Sequence, residues 1–434
     1  MKHLVVLTAL AAGFAHAALG SPPQTNDDGI SYTVKKGDTL YGLADKYLIH
    51  LADYNTLQRN LHLSVAQHLQ PDTTVILPRA LLKFTPVDAH LVAFRGGVRV
   101  NQTPPTLGMS VHEGTQIETS AGAFATLILS NGSKVTLPSQ TSVKLSRLRK
   151  INIDGSLDYE VAVEDGRAET KASHFTDPNS RFQFKTPLAT SAVRGTEFRI
   201  VYAKSGDSDS LTEVLGGSVA VGASNGSAPQ LIPGGTGAGV SKSGATRVEQ
   251  LLPAPSVANA SEVQKDDLVH FALTPIAGAV GYHVQVARDA GFVDVFDDTR
   301  SATPQASFPN VPNGNQFVRA AALSPSGFEG LSETTAFVRK LNSIHAIIEP
   351  GGHGGFRFKW TGSGEGVRQY RFQLSREKSG TPVIDEPGMT TQELELTRLT
   401  PGVYYWRVGA MQFDAGESSV SWTDFEKLNI PGAR

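Results

Sequence analysis

The 434-residue sequence contains no cysteine. A disulfide framework, a zinc–thiolate site, an iron–sulfur cluster and a thiol nucleophile are therefore excluded. Charged side chains are also sparse, at 18% of the residues, and 39 Lys and Arg nearly balance 41 Asp and Glu, which gives a formal net charge of −2. Because a dedicated nucleic-acid-binding protein normally carries a basic field, we do not expect nucleic acid as a partner.

The sequence is rich instead in residues that form turns, with 43 Gly and 24 Pro. This composition is typical of strands joined by tight turns, and the length predicts about three domains at roughly 150 residues each. The HExxH, P-loop and Rossmann signatures are absent, and the histidines show no metal-ligand spacing. We therefore expect a mainly β multi-domain protein that is not an enzyme and holds no cofactor or metal ion.

The first 17 residues have the pattern of a cleavable export signal. Lys2 precedes an almost wholly apolar run at 4–15, and Ala15-His16-Ala17 gives the small-x-small pattern of a cleavage site. The apolar run is too short to anchor the chain, and no later segment could form a transmembrane helix. We expect export to the periplasm of a Gram-negative bacterium, with no transmembrane segment in the mature chain and a flexible leader at 18–30.

Residues 31–78 predict a small unit in the order strand, helix, helix, strand. Ser31 to Lys35 alternates as a half-buried strand, and Asp38 or Thr39 can cap the helix that follows. A second helix is expected around 50–60 and a short strand at 73–77. The apolar face of the first helix consists of Leu40, Leu43, Ala44 and Tyr47.

The segments YTVKKGDTLYGLADKY (32–47), LQRN (57–60) and LQPDTTVILP (69–78) resemble a LysM domain. That family folds as a βααβ unit and binds glycans that contain N-acetylglucosamine, which are peptidoglycan or chitin. Asp72 stands where the family usually has glycine; aspartate can adopt a left-handed backbone at modest cost, so we expect the turn to be kept and the glycan affinity to be altered. An alternative for Asp38 and Thr39 is a helix cap alone. The resemblance implies a glycan-binding groove formed by Gly37, Asp38, Thr39, Leu40, Leu69, Gln70 and Pro71.

Residues 90–245 consist of short alternating runs, with predicted turns at Asn131-Gly132 and Asp165-Gly166. GTQIETSAGAFATLILSNGSKVTL (114–137) and TPLATSAVRGTEFRI (186–200) resemble FecR-like periplasmic domains. In the best-known relatives such a domain relays the state of an outer-membrane receptor to an inner-membrane anti-sigma segment. The export signal departs from that arrangement, so the resemblance implies a β scaffold for protein or glycan contacts.

Three smaller features of this segment have two interpretations each. Arg194 either builds the scaffold together with Gly195 and Thr196 or binds an anionic ligand. The basic residues at 144–150 form either a solvated strand face or a contact to an anionic envelope polymer. The oxygen-rich stretch at 206–210 is either a hairpin tip or a calcium loop, and the hairpin is the simpler interpretation.

The C-terminal part contains two copies of one unit, at 252–340 and 342–432, related by an offset of 88 residues. Tyr282 to Val286 aligns with Tyr370 to Leu374, and Arg319 aligns with Arg407. Copies of this size with alternating strands predict immunoglobulin-like sandwiches, and residues 396–410 resemble the late strands of fibronectin type III domains. The following aromatic residues are predicted to be core residues, with a sugar-stacking platform as the alternative: Trp360, Tyr370, Tyr404 and Trp406.

Together these features lead to the hypothesis of a non-catalytic periplasmic peptidoglycan-binding protein. The LysM-like module would hold the glycan, while the FecR-like domain and the two fibronectin type III-like sandwiches would form a scaffold for an envelope protein partner. One alternative is an envelope sensor or regulator related to FecR signalling. Another is a peptidoglycan-processing enzyme whose site has no recognised signature.

Overall fold

The structure is a computed structural model that describes residues 29–61, 69–205, 209–378, 380–414 and 416–431. The predicted export signal at 1–17 and most of the predicted leader at 18–30 lie outside these residues. The first strand begins at Gly29, and the Ile30 side chain is 1% exposed. The last two residues of the predicted leader therefore belong to the folded chain, because Ile30 fills the core of the first module.

The N-terminal module has the predicted order of strand, helix, helix and strand. Its two strands pair antiparallel, with Ile30 opposite Leu77. Ile151 of the following domain is buried in the same apolar core, so the module is packed against that domain. The elements are β1 (Gly29–Thr33), α1 (Leu40–Tyr47), a 3-10 turn (Leu51–Asp53), α2 (Tyr54–Asn60) and β2 (Thr74–Pro78).

The large β domain, which we define as residues 84–250, consists of two sheets packed face to face, and its described residues contain no helix. The first sheet contains β3, β5, β7, β10, β12, β13, β16 and β17, the second contains β4, β6, β8, β9, β14, β15, β18 and β19, and β11 belongs to both. The strands are β3 (Phe84–Pro86), β4 (Ala89–Arg95), β5 (Val98–Val100), β6 (Ser110–Val111), β7 (Gln116–Thr119), β8 (Phe124–Leu129), β9 (Lys134–Leu137), β10 (Thr141–Ile151), β11 (Leu157–Lys171), β12 (Arg181–Lys185), β13 (Ala189–Val193), β14 (Glu197–Tyr202), β15 (Ser210–Gly216), β16 (Ser218–Ala223), β17 (Gln230–Pro233), β18 (Thr236–Val240) and β19 (Thr246–Gln250).

The turn predicted at Asn131-Gly132 is confirmed between β8 and β9, but the turn predicted at Asp165-Gly166 is wrong. β11 continues through that dipeptide, pairing with β10 and β12 before it and with β14 and β9 after it. Gly166 has φ 86°, and a Cβ atom there would lie 2.7 Å from the Thr141 Cα. The Asp-Gly pair therefore bends one strand from the first sheet into the second, because the backbone of residues 140–141 leaves room for glycine alone.

The two C-terminal units are β-sandwiches, which we name sandwich 1 and sandwich 2. In sandwich 1, β20 pairs with β23, and the other sheet has the order β22-β21-β24-β25; in sandwich 2 the sheets are β26-β27-β30 and β29-β28-β31-β32, with β33 also on β31. The strands of sandwich 1 are β20 (Val269–Ala272), β21 (Gly281–Ala287), β22 (Val295–Ser301), β23 (Gln305–Phe308), β24 (Gly314–Leu323) and β25 (Glu329–Arg339). Those of sandwich 2 are β26 (His345–Pro350), β27 (Phe356–Thr361), β28 (Val367–Ser375), β29 (Ile384–Met389), β30 (Glu393–Leu396), β31 (Gly402–Asp414), β32 (Glu417–Trp422) and β33 (Glu426–Ile430).

The repeat found in the sequence is present in the fold, since β24 begins at Gly314 and β31 begins 88 residues later at Gly402. The four aromatic residues predicted to form the core of sandwich 2 are at most 5% exposed, so that prediction is confirmed. Because these rings pack against one another and other core residues, they do not form a platform for a sugar.

Sandwich 1 is held on the second sheet of the large β domain by a buried set of charged residues, which we call the charged interface. The Arg199 Nη1 lies 2.7 Å from the Glu329 Oε1 of sandwich 1, and Arg167 donates to the same carboxylate. Glu213 accepts from the Arg199 Nε at 2.7 Å and from the Glu329 backbone N–H at 2.6 Å. These four residues are at most 8% exposed, so the ion pairs are shielded from water.

His283 extends the charged interface into sandwich 1. Its Nδ1 lies 2.8 Å from a Glu329 carboxylate oxygen and its Nε2 lies 2.8 Å from an Asp298 oxygen. Burial disfavours the imidazolium, but Glu329 and Asp298 outweigh it and raise the pKa of His283 above its ordinary value. Burial also opposes ionisation of Glu329, yet Arg167, Arg199 and His283 hold the pKa of that carboxyl well below its usual range. The positions of both carboxylates thus favour a doubly protonated imidazole.

Candidate glycan-binding site

The loop that follows β1 and the loop that precedes β2 lie side by side at one end of the N-terminal module. The backbone N–H of Val34 donates to the carbonyl oxygen of Thr73 at 2.9 Å, and the N–H of Asp72 donates to the carbonyl oxygen of Val34 at 2.9 Å. These bonds continue the β1–β2 pairing beyond its last pair, Thr33 and Thr74. The structure therefore brings together the two loops in which the seven predicted glycan-binding residues lie.

In the first loop, Asp38 and Thr39 shape the backbone through their side chains. The Asp38 Oδ2 accepts from the Lys35 backbone N–H at 2.8 Å and from the Tyr32 hydroxyl at 2.7 Å. The Thr39 Oγ1 accepts from the Gly42 N–H at 2.9 Å, which makes Thr39 the N-cap of α1. Burial and then the Asp38 carboxylate raise the pKa of Tyr32 to about 12. The Asp38 Oδ2 and the Thr39 hydroxyl are thus committed to the loop, while the side chains of Lys35 and Lys36 are exposed beside them.

Five of the seven predicted residues reach the surface, and the other two lie beneath it. Gly37, Thr39, Gln70 and Pro71 are exposed and Asp38 is half-buried. The Leu40 and Leu69 side chains are buried at 0% and 8% exposure. The two leucines therefore anchor the loops to the core of the module, and neither residue presents a substantial surface to a ligand.

Backbone geometry keeps both loops open. Gly37 has φ 94°, and no atom lies within 4 Å of the position that a Cβ atom would take there. Asp72 has φ 65°, so it adopts the left-handed conformation that its position requires. The Thr73 hydroxyl donates to the Gln70 carbonyl at 2.6 Å and stabilises this second turn. Both turns therefore depend on left-handed backbone conformations, at Gly37 and at Asp72.

An aromatic pair beside the first loop was not recognised in the sequence. Tyr41, the second residue of α1, is 55% exposed, and its ring centroid lies 6.2 Å from that of Tyr54 on α2. Exposed tyrosine rings suit contact with a sugar face because they combine an apolar surface with a polar edge. The sequence could have predicted an exposed ring here, because Tyr41 is aromatic but does not lie on the predicted apolar face of α1.

The other candidate sites of the large β domain have structural roles. Arg194 donates to the backbone carbonyls of Phe175 and Asp177, at 3.3 and 2.7 Å, so the scaffold interpretation is the one that its contacts support. Arg149 makes a bidentate pair with Glu113, at 2.7 and 2.5 Å. Arg147 is likewise paired with acidic residues, so the two arginines of the basic cluster are neutralised within the domain, while Lys144 and Lys150 are exposed.

The described residues contain no group of histidine and acidic side chains that could hold a metal ion. Within the stretch considered as a calcium loop, residues 206–208 lie outside the described residues, and the flanking strands β14 and β15 pair antiparallel as a hairpin would. Among the helices of the described residues, none is long and apolar enough to cross a membrane.

Comparison with known families identifies two segments. Residues 32–78 match the LysM domain family, and residues 115–220 match the FecR protein family. Both are families of binding or signalling domains without catalytic activity. The LysM match agrees with the position of the two loops described above. No curated protein matches the sequence.

Solved structures resemble parts of the chain at low similarity. A protein assigned as an anti-sigma factor from Parabacteroides distasonis has 18% identity and a TM-score of 0.27 over 31% of this chain, and the matched region spans 59% of that protein. A segment of two fibronectin type III domains from chicken tenascin has 12% identity and a TM-score of 0.19 over 40% of this chain and 99% of its own. Fibronectin(III)-like modules of Clostridium thermocellum CbhA have 14% identity and a TM-score of 0.19 over 41% and 93%.

Proposed function

We propose that the protein is a non-catalytic, glycan-binding component of the bacterial cell envelope. The LysM module binds peptidoglycan strands through their N-acetylglucosamine residues, and the large β domain and the two sandwiches form a scaffold that engages a protein partner in the periplasm. The single observation that carries the glycan-binding part is the adjacency of the two loops within a segment that matches the LysM family.

The geometry supports a binding site that recognises the glycan by its shape and its hydrogen-bonding groups. Asp38 and Thr39 direct side-chain oxygens to the protein itself, so the backbone around the exposed Gly37 and Gln70 is offered to a ligand between the side chains of Lys35, Lys36 and Asp72. Such a site favours an N-acetyl group, which offers one amide N–H and one carbonyl oxygen, over a charged group. The proximity of Tyr41 adds an apolar ring on which a sugar can pack.

The test is co-sedimentation of the full chain with purified peptidoglycan sacculi, compared with the variants Gln70→Trp and Tyr41→Ala. Both side chains are exposed, so the module should keep its fold while the bulky Trp obstructs the loops and the Ala removes the ring. We expect retention by sacculi to fall about tenfold with Gln70→Trp, and less with Tyr41→Ala, because one obstructed contact of about 1.4 kcal/mol changes affinity tenfold.

The matched control is Asp45→Asn in the second half of α1, where the side chain is exposed and retention should be unchanged. Circular dichroism of each variant checks the fold. Absence of retention for the unaltered protein would refute glycan binding. Release of soluble muropeptides from the sacculi would instead support the enzyme alternative.

A further inference from the structure

The two sandwiches present the same polar residues on the same outer sheet face. In sandwich 1, the Arg319 Nε donates to the Gln285 Oε1 at 3.0 Å, and in sandwich 2 the Arg407 Nε donates to the Gln373 Oε1 at 2.9 Å. Both residues of the pair are related by the offset of 88. The two copies therefore share the Gln–Arg pair on their outer face as well as a core. Packing of the core does not require this pair.

In sandwich 1 this face is covered by the large β domain. The Arg319 Nη2 lies 2.6 Å from the Glu169 Oε2 of β11, and the Arg319 guanidinium stacks on the Phe292 ring at 4.3 Å. Glu169 is 8% exposed, and Phe292 packs with Phe124 of the large β domain. The face thus recognises a carboxylate that projects from a β-sheet, with aromatic contacts beside it.

In sandwich 2 the equivalent face is open. The Arg407 guanidinium lies between the Trp422 and Phe425 rings, with centroid distances of 4.1 and 4.5 Å. Asp385 already forms a bidentate pair with Arg371, at 2.7 and 2.6 Å. Within the described residues no carboxylate pairs with Arg407 as Glu169 pairs with Arg319. Sandwich 2 therefore has the aromatic support and the cation of the docking face, but not the acidic partner.

The same face carries exposed apolar side chains along its strands. Phe413 on β31 and Val420 on β32 are 40% and 39% exposed, and Val367, which pairs with Phe413, is 66% exposed. Trp422 lies directly over Gly409, where a Cβ atom would come within 2.9 Å of the ring. A central arginine held by aromatic rings with an apolar surround is the composition of residues that dominate protein–protein binding.

We propose that the outer face of the β29-β28-β31-β32 sheet in sandwich 2 docks a second protein that presents an Asp or Glu side chain from a β-sheet surface. Charge complementarity selects this occupant, because Arg407 is prepared for a carboxylate as Arg319 is for Glu169. A second copy of this chain cannot supply Glu169, since its own sandwich 1 covers that residue. The inference deepens the partner-binding part of the proposed function and does not depend on glycan binding.

The test is site-specific photo-crosslinking of the full chain in the cells that produce it. A benzophenone amino acid replaces Tyr405, whose side chain lies on the proposed face, or Ile347, which is 56% exposed on the opposite sheet of sandwich 2. We expect an adduct with another protein from the Tyr405 position only, and the crosslinked partner peptide should contain an Asp or Glu on a β-strand. The variant Arg407→Glu should reduce the adduct at least fivefold, and Arg introduced at the partner's acidic residue should restore it.

A second variant separates docking from folding. Val420 is exposed, so Val420→Glu should keep the tryptophan fluorescence of sandwich 2 unchanged and still repel the partner carboxylate. An adduct that persists in both variants, an adduct with a glycan strand, an adduct with a second copy of the chain or no adduct at all would each overturn the proposal. A glycan-loop variant such as Gln70→Trp should crosslink normally, so failure of the glycan proposal would be recognised independently.

Discussion

The two sandwiches derive from one repeat, yet their equivalent faces have different surroundings. In sandwich 1 the face is buried against β11, β14 and β15 of the large β domain and belongs to the charged interface. In sandwich 2 the Arg407 of the equivalent pair is partly exposed beside Trp422, above the buried Gln373. The same surface motif of a repeat can therefore form a domain interface in one copy and remain accessible to another molecule in the other copy. The difference predicts that equivalent substitutions in the two copies will have unequal effects.

The largest difference in the free energy of unfolding is expected between Glu329→Gln and Glu417→Gln. Glu417 lies 88 residues after Glu329 and is its equivalent in sandwich 2. Glu329 is fully buried with Arg167 and Arg199, so its loss leaves two buried cations without their main partner and should lower the free energy of unfolding by about 3–5 kcal/mol. Glu417 pairs with Lys340 and its side chain is 70% exposed, so its variant should unfold like the parent.

All three tryptophans lie in sandwich 2, which gives this comparison two independent signals. In guanidinium titrations, Glu329→Gln should shift the loss of β circular dichroism and leave the tryptophan transition of sandwich 2 in place. Equal shifts of both signals would mean that the two sandwiches unfold as one unit, and the inequality would then be absent.

A smaller inequality is expected for Arg319→Ala compared with Arg407→Ala. Loss of Arg319 leaves Glu169 buried without its closest cation, and about 2–3 kcal/mol of stability should be lost. Loss of Arg407 removes its hydrogen bond to Gln373 and partly exposed aromatic contacts but leaves no buried carboxylate unpaired, and about 1 kcal/mol is expected. The same titrations measure both variants, and a larger loss for Arg407→Ala would contradict the assignment of the two faces.

The smallest effect is a pH dependence confined to the charged interface. Burial and the charge of Arg167 oppose the imidazolium of His283, but Glu329 and Asp298 outweigh them and raise its pKa in the folded state. The protonated His283 therefore stabilises the folded protein fully at a pH below the pKa of histidine in the unfolded chain, which is about 6.5. This stabilisation is lost as the pH rises through the pKa of His283 in the folded state, and it amounts to about 1.4 kcal/mol for each unit by which the pKa is raised. Thermal unfolding between pH 6 and pH 9 measures this loss.

His283→Gln is the control for the pH series, because glutamine keeps a hydrogen-bonding side chain but does not titrate in this range. Its unfolding should vary less with pH than that of the parent protein. If the stability of His283→Gln varied with pH as steeply as that of the parent protein, other groups would cause the pH dependence. Deprotonation of His283 would then not weaken the charged interface.

The sequence predicted the features that are encoded locally. The order of elements around Thr39, the hairpin at Asn131-Gly132 and the offset of 88 were all readable, because each depends on neighbouring residues or on direct alignment. The mainly β fold is confirmed, with about 55% strand and 6% helix among the described residues. The loops of the glycan site could be placed for the same reason, since both follow from the pairing of β1 with β2.

The remaining features depend on contacts between distant parts of the chain. Asp165-Gly166 has the same local signal in a turn and in a bent strand, and only the position of Thr141 decides between them. Arg199 and Glu329 occupy strand positions that face away from their own cores, which in a single domain would indicate solvent. Each of these residues is buried by the neighbouring domain, and the alternation of residues along a strand cannot predict a contact with another domain.

The path of β11 through both sheets has a mechanical consequence. Its first half pairs with β10, whose Ile151 lies in the core of the N-terminal module, and its second half carries Arg167 and Glu169, which hold sandwich 1. A pulling force applied at the module would reach sandwich 1 along a single covalent strand. To extend the chain, that tension must shear the hydrogen bonds on both sides of β11 together, which are antiparallel to β10, β14 and β9 and parallel to β12. The large β domain should therefore resist extension between its two ends.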